Sequence, residues 1–168
     1  MLALALGMSP IVAFGLAAIW ARAREPELEV VNMLHLAPAR KRSKRTRPVD
    51  AVVLHQMSFS RGNDLNAYRN VTAHFVITPN GQVGQLHPVN ARLPASHGFN
   101  GRSVAVEFAG NLRSVRGDWW KPDRYGRDHL TAAQIEAGRK LLQLLKVQGI
   151  RHVFGHRQSS ANRGNDPG

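Results

Sequence analysis

The chain has 168 residues, of which 43% are hydrophobic and none is cysteine. This length suits one ordinary domain with a hydrophobic core, and the missing cysteine excludes disulfides, thiolate metal ligands and a cysteine nucleophile. Any metal must therefore be held by histidine and carboxylate side chains. The formal net charge of +12 predicts attraction to polyanions such as nucleic acid, anionic lipid or an acidic cell-wall polymer, without choosing among them.

The N-terminal segment, residues 1–21, carries no charged side chain. Its length suits a membrane span or a long signal-peptide hydrophobic region, and ARA at 21–23 fits a small-x-small cleavage signal. Against a standard signal peptide, Pro10 interrupts the run and its basic residues follow rather than precede it. We expect residues 1–24 to export or anchor the chain at the cell envelope. A mis-assigned start, a helix packed on another domain and a cytoplasmic location stay open.

A basic run follows at 39–47 (ARKRSKRTR), in which six of nine residues are Lys or Arg. Such a run is unsuited to a core, so residues 25–47 are predicted to be a solvated basic linker that contributes nothing to the domain beginning at Pro48. The alternative is a tether to anionic wall polymer or to a membrane surface. Nucleic-acid binding is disfavoured because neither aromatic residues nor a recognition helix accompany the run.

Three strand-like segments follow Pro48. Residues 51–57 (AVVLHQM) are apolar and β-branched, and residues 73–88 read apolar, then Pro-Asn-Gly, then apolar, which predicts a β-hairpin. Residues 103–110 (SVAVEFAG) alternate, with Val104, Val106 and Phe108 on one face. Glu107 stands among small residues on the other face, a shape that suits the floor of a cleft.

Residues 130–149 predict the best helix. Thr131 and Gln134 make a capping box, Gly149 can end the helix, and the predicted buried stripe is Ile135, Leu141, Leu142 and Leu145. A few strands covered by a long helix predict a mixed α/β fold with a central mixed sheet.

Three residues of metal-ligand type fall at the ends of these elements. His55 closes the first strand, and His156 and Asp166 stand ten residues apart in a polar C-terminal loop. Each alone is commonly a core histidine or a turn-forming aspartate. Together they match a catalytic zinc site, which takes three protein ligands and lowers the pKa of its water to roughly 7. Glu107 is the candidate carboxylate to take the proton of that water.

Five motifs add a family resemblance. VVLHQ, VTAHFVITPNGQVGQ, ASHGFNGRSVAVEFAGN, TAAQ and GHRQSSANRGNDPG, between Val52 and Gly168, occur in the order and spacing of the zinc-dependent N-acetylmuramoyl-L-alanine amidases of the type 2 amidase and peptidoglycan recognition protein family. The chain resembles that family. The resemblance implies its mixed α/β fold and cleavage of the amide between N-acetylmuramic acid and L-alanine in peptidoglycan or released muropeptides.

Carried over by position, the resemblance implies that His55, His156 and Asp166 are zinc ligands and that Glu107 acts on the water. An Asp as third ligand, and Ala73 in VTAH, are similar to the bacterial muropeptide-recycling branch. That branch usually has a Lys two residues before the Asp, where this chain has Gly164. We therefore expect Arg163 to supply the helper charge, unless that charge is missing.

His74, His97 and Asn100 match positions of the substrate groove, although His74 and Asn100 also suit structural roles. Ser96 replaces the family's usual aromatic residue. Family members usually run on past DPG, so residues 48–168 are expected to be an amidase domain truncated at its C-terminus. We expect a monomer. Two other functions stay open: a non-catalytic peptidoglycan-binding module of the same fold, and a basic, membrane-tethered nucleic-acid binder.

Overall fold

The computed structural model describes residues 27–110, 130–160 and 166. The apolar segment 1–21, Arg163 and Gly164 lie outside the described residues, as do the predictions made for them. Within the described part of the chain, no helix has both the length and the apolar character that a membrane crossing requires.

A six-stranded mixed sheet forms the centre of the fold, in the order β1-β5-β4-β7-β3-β8, and β2 and β6 form a separate antiparallel pair. Only β4 and β5 are antiparallel within the large sheet. This arrangement confirms the predicted mixed α/β class. The strands are β1 Val30–Asn32, β2 Ser43–Lys44, β3 Ala51–Gln56, β4 Phe75–Ile77, β5 Val83–Gln85, β6 Ala91–Arg92, β7 Ser103–Phe108 and β8 His152–Gly155.

Strand β3 lies between β7 and β8, and all three run parallel. Its first four residues are apolar, two of them β-branched valines, and nearly the whole strand is buried, as expected for a strand covered on both faces. Because parallel strands end at the same edge of a sheet, β3, β7 and β8 bring their last residues together. The register places His55 beside Glu107, and His156 follows directly on the end of β8.

The hairpin predicted over 73–88 is confirmed by antiparallel pairing of β4 with β5. Gly81 has φ +84°, a left-handed conformation that glycine adopts without steric cost. The Thr78 amide and the Gln82 carbonyl close the turn with a 3.0 Å hydrogen bond.

Helix α1 (Ala132–Val147) covers one face of the sheet and has the predicted capping box between Thr131 and Gln134. Leu141 and Leu145 are buried as predicted, but Ile135 is 50% exposed, so its place in the buried stripe was wrong. Gln134 lies on the buried face instead. Its side-chain amide donates to the carbonyls of Ile77 and Ala109, so the polar group is satisfied although it is buried.

The segment before Pro48 differs from the predicted linker. Strand β1 extends the large sheet by pairing with β5, and β2 pairs with β6. Met33, which follows β1, is 2% exposed and packs in an apolar cluster that includes Tyr68 and Leu86. Residues 27–47 are therefore part of the folded unit, and its start is not at Pro48.

Two arginines of the basic run explain why that run can lie against the domain. Arg42 donates through Nη2 to the carbonyl of Leu34 at 2.7 Å and through Nε to His87 Nδ1 at 2.9 Å. Arg45 donates to the carbonyls of Ala91 and Asn100, among others. A guanidinium has five N–H donors, so each of these two side chains can bind several acceptors of the domain at once.

Candidate metal centre and adjoining cleft

The three predicted ligands converge at the carboxyl edge of the sheet. One ligand atom from each of His55, His156 and Asp166 lies within 4.8 Å of the others, and all three residues are buried. Asp166 Oδ2 is 2.8 Å from His156 Nδ1 and 3.6 Å from His55 Nδ1. The two imidazole rings meet edge to face, with centroids 4.4 Å apart.

Backbone contacts hold the carboxylate in this position. The amide of Gln56, the residue after His55, donates to Asp166 Oδ1 at 2.8 Å, and the Arg157 amide donates to the Asp166 carbonyl at 2.7 Å. Oδ2 is thereby turned toward the two imidazoles. Burial alone would raise the pKa of Asp166, but contacts with His55, the Gln56 amide and His156 outweigh it and lower that pKa. Asp166 is therefore held as a carboxylate.

This group fits a divalent metal ion. Two imidazole nitrogens and one carboxylate oxygen are the ligand types of catalytic zinc centres, and ligands around such an ion lie about 3.4 Å apart when each bond is about 2.1 Å. The 3.6 Å between His55 Nδ1 and Asp166 Oδ2 is close to that spacing. His55, His156 and Asp166 can therefore hold a metal ion.

Glu107 adjoins the cluster. Its Oε1 lies 4.0 Å from His55 Nδ1, and its side chain is 19% exposed, whereas the two histidines are almost completely buried. Together with Asp166, Glu107 lines a cleft of about 390 Å³. The other lining residues are Gln56, Met57, Ser58, Phe59, Arg61, Asn70, Val71 and Thr72. The cleft thus gives a molecule from solvent access to a carboxylate and to the ligand cluster.

The predicted groove residues have different environments. His74 is 1% exposed, and both ring nitrogens bind the backbone, Nδ1 at the Ala105 amide and Nε2 at the Ala91 carbonyl. It is a structural histidine, so the expected groove position was wrong. Asn100 Oδ1 accepts from the Ser96 amide at 2.6 Å, a contact that holds a loop. His97 is exposed.

Ser96 is the contact that sequence reasoning missed. Its Oγ lies 2.9 Å from His55 Nε2, although the two residues are 41 positions apart. The sequence shows only that Ser96 replaces an aromatic residue of the family pattern, and no local signal indicates its partner.

Comparison with known proteins identifies the family of the chain. The family model for N-acetylmuramoyl-L-alanine amidase matches residues 45–168. No curated protein matches the chain significantly.

Solved structures share the fold at low sequence identity. The endolysin amidase LysCS from Clostridium intestinale is 15% identical with a TM-score of 0.58, over 84% of this chain and 88% of its own. The recognition protein PGRP-SA from Apis mellifera is 17% identical with a TM-score of 0.64, over 83% and 90%. The PGRP-LCa and PGRP-LCx ectodomain complex with tracheal cytotoxin gives 18% and 0.63, over 83% and 89%. The chain belongs to the N-acetylmuramoyl-L-alanine amidase family.

Proposed function

We propose that this chain is a zinc hydrolase that cleaves the amide between N-acetylmuramic acid and the L-alanine of the stem peptide. The observation that carries the proposal is the convergence of His55, His156 and Asp166 beside Glu107, in a chain of the amidase family. Two histidines and one carboxylate leave a fourth position of a tetrahedral site for water or substrate. The ligand set is that of the Asp-containing bacterial branch.

Zinc, when bound, supplies a Lewis acid for the scissile carbonyl and lowers the pKa of a water molecule to about 7. Glu107 takes the proton of the attacking water and passes it to the leaving amide nitrogen. Its position supports this role, because its carboxylate lines the cleft and lies 4.0 Å from a ligand atom. Arg163 supplies positive charge to the developing oxyanion, in place of the Lys of the related branch.

The cleft is the proposed site for the stem peptide. Arg61, Asn70 and Thr72 offer polar contacts along its wall, and Phe59 offers an apolar surface. A structurally similar recognition-protein complex was solved with tracheal cytotoxin bound, which supports a muropeptide as ligand here. The exposed His97 is the remaining predicted groove residue with a side chain open to substrate.

A non-catalytic peptidoglycan-binding module is the second candidate. It is favoured by the recognition proteins among the structural neighbours and by Gly164 in place of the branch's Lys. The complete ligand set favours the enzyme.

Further proposals concern the basic and apolar segments. Arg40, Lys44, Arg47 and Arg92 are exposed and suit contact with anionic wall polymer or a membrane surface. Export or anchoring through residues 1–24 would place a monomeric enzyme beside its substrate. Such contact should weaken as salt rises, since exposed charges are screened over about 8 Å at physiological ionic strength.

The test compares the full chain with Glu107→Gln. Metal content and release of stem peptide from muropeptides are measured on the same preparations. We expect Glu107→Gln to retain its zinc and lose on the order of 10² to 10⁴ in turnover, because it keeps the shape of the side chain and removes the base. Glu136→Gln, on the exposed face of α1, is the control and should match the parent.

Each failure identifies a different error. Unchanged turnover in Glu107→Gln means that the base lies elsewhere, and loss of zinc means that Glu107 supports the ligands. A parent that binds zinc and muropeptide without turnover is a binding module. A parent without zinc refutes the metal centre.

A further inference from the structure

The hydroxyl of Ser96 contacts the side of His55 that faces away from the other ligands. Ser96 Oγ lies 2.9 Å from His55 Nε2, and the exposed fractions of the two residues are 1% and 2%. The opposite nitrogen, His55 Nδ1, faces Asp166 Oδ2 at 3.6 Å and Glu107 Oε1 at 4.0 Å. The ring is therefore placed between a hydroxyl on one side and two carboxylates on the other.

A hydroxyl (Ser96), an imidazole (His55) and a carboxylate (Asp166) follow one another in space, as in a serine-protease triad. The geometry nevertheless excludes a nucleophilic serine. A nucleophile must meet its substrate, and Ser96 is almost completely buried. The 3.6 Å between His55 Nδ1 and Asp166 Oδ2 also exceeds hydrogen-bond distance. The hydroxyl therefore acts on the imidazole and not on a substrate.

The position of the imidazole proton decides whether His55 can bind a metal. A neutral imidazole carries one proton, and the nitrogen that binds the metal must be the one without it. Since Nδ1 faces the other ligands, the proton must be on Nε2. The two carboxylates near Nδ1 favour the opposite tautomer, because their negative charge attracts a proton on Nδ1. An acceptor at Nε2 is needed to offset them.

The loop around Ser96 fixes its hydroxyl at that point. The Ser96 amide donates to Asn100 Oδ1 at 2.6 Å, and the Phe99 amide donates to the Ser96 carbonyl at 2.9 Å. The Asn100 carbonyl in turn accepts from Arg45 Nη1 at 3.1 Å. The hydroxyl is thus held by a closed turn that is itself tied to the N-terminal segment.

We propose that Ser96 is a positioning residue that accepts a hydrogen bond from His55 Nε2 and so keeps Nδ1 unprotonated and oriented for the metal. The inference rests on the proposed zinc centre. Partners of metal-binding histidines of this kind typically change metal affinity by about 10- to 100-fold when they are removed.

The experiment measures zinc affinity of the full chain by competition with a chelator, and urea unfolding of the metal-free form. We expect Ser96→Ala to bind zinc about 10- to 100-fold more weakly than the parent and Ser96→Thr, which keeps a hydroxyl, to restore most of that loss. Ser103→Ala is the matched control. Ser103 is equally buried, and its hydroxyl donates to the Phe99 carbonyl of the same loop without contacting His55.

The inference is overturned if Ser96→Ala binds zinc no more weakly than Ser103→Ala. Loss of the contact with His55 would then have no effect beyond that of a change elsewhere in the same loop. It is also overturned if Ser96→Thr unfolds like the parent without metal yet binds zinc as weakly as Ser96→Ala. A parent that binds no zinc refutes the metal centre itself, which separates that failure from a failure of Ser96.

Discussion

Arg45→Ala should destabilise the domain although it removes one residue of a run of basic side chains. The guanidinium is half-buried and joins the N-terminal segment to the 89–103 region. It donates to the carbonyl of Ala91 at 2.5 Å, of Ser103 at 3.0 Å and of Asn100 at 3.1 Å. Alanine would leave all three carbonyls without this donor.

The size of the effect follows from these contacts. A hydrogen bond from a charged donor contributes about 1.5–3 kcal/mol, but three bonds from one cation are not additive. Burial, followed by repulsion from Arg92, lowers the pKa of Arg45. Part of the stabilisation from the three hydrogen bonds therefore offsets the cost of removing the cation from water. We expect a loss of about 3 kcal/mol, a large fraction of the roughly 5–15 kcal/mol that stabilises a domain.

The assay is urea unfolding in the presence of a chelator, so that metal binding does not contribute. With an m-value of about 2 kcal/mol/M, the midpoint of Arg45→Ala should fall by about 1.5 M. Arg47→Ala changes the same charge at an exposed position of the same segment and should stay within about 0.5 kcal/mol of the parent. Arg45→Lys should recover little, because one ammonium cannot span these carbonyls.

Equal midpoints for Arg45→Ala and Arg47→Ala would refute this reasoning. The basic run would then be the solvated linker that its composition suggests.

Two further predictions concern pH and the hairpin. Burial lowers the pKa of His74 and of His87 to about 4, below the ordinary value of 6.5, so the unfolded chain takes up their protons first as pH falls. The free energy of unfolding in chelator should therefore be highest above about pH 6.5 and fall toward pH 4. His74 alone should lower it by about 2 kcal/mol at pH 5, and equal urea midpoints at pH 7 and 5 would contradict this. Gly81→Ala should cost about 1–2 kcal/mol more than Gly62→Ala, because both have positive φ but only at Gly81 would the new Cβ meet the Ala133 carbonyl oxygen, at 2.8 Å. Equal thermal midpoints for the two glycine variants would show that the turn yields at that contact.

Local patterns were sufficient for the main elements of the fold. Pro-Asn-Gly between two apolar runs predicted the hairpin, and Thr131 with Gln134 predicted the start of α1, because turn and cap geometry depend on neighbouring residues. The strands β3 and β7 followed from an apolar run with valines and from alternation. The sequence therefore placed His55 at the close of one strand and Glu107 on the small-residue face of another, and the register then set them side by side.

Contacts between distant segments could not be derived in this way. Whether Arg45 is a solvated cation or a half-buried donor depends on backbone carbonyls that lie 46 to 58 positions later in the chain. His74 appeared to be a groove residue because its motif does not show that Ala91 and Ala105 bind both ring nitrogens. Similarly, amphipathic periodicity assigns apolar residues to the buried face of a helix, and only the packed sheet edge provides the carbonyls that satisfy Gln134.

The sequence by itself determined which side chains could carry the chemistry, since a chain without cysteine leaves His and carboxylate as metal ligands, and the order of its motifs identified the set. Only the tertiary structure decided their mutual geometry. His156 and Asp166 meet His55 because β8 lies parallel to β3 and because the Gln56 amide holds the Asp166 carboxylate, 110 residues away along the chain. Such contacts depend on the packing of the whole sheet, which no short stretch of residues encodes.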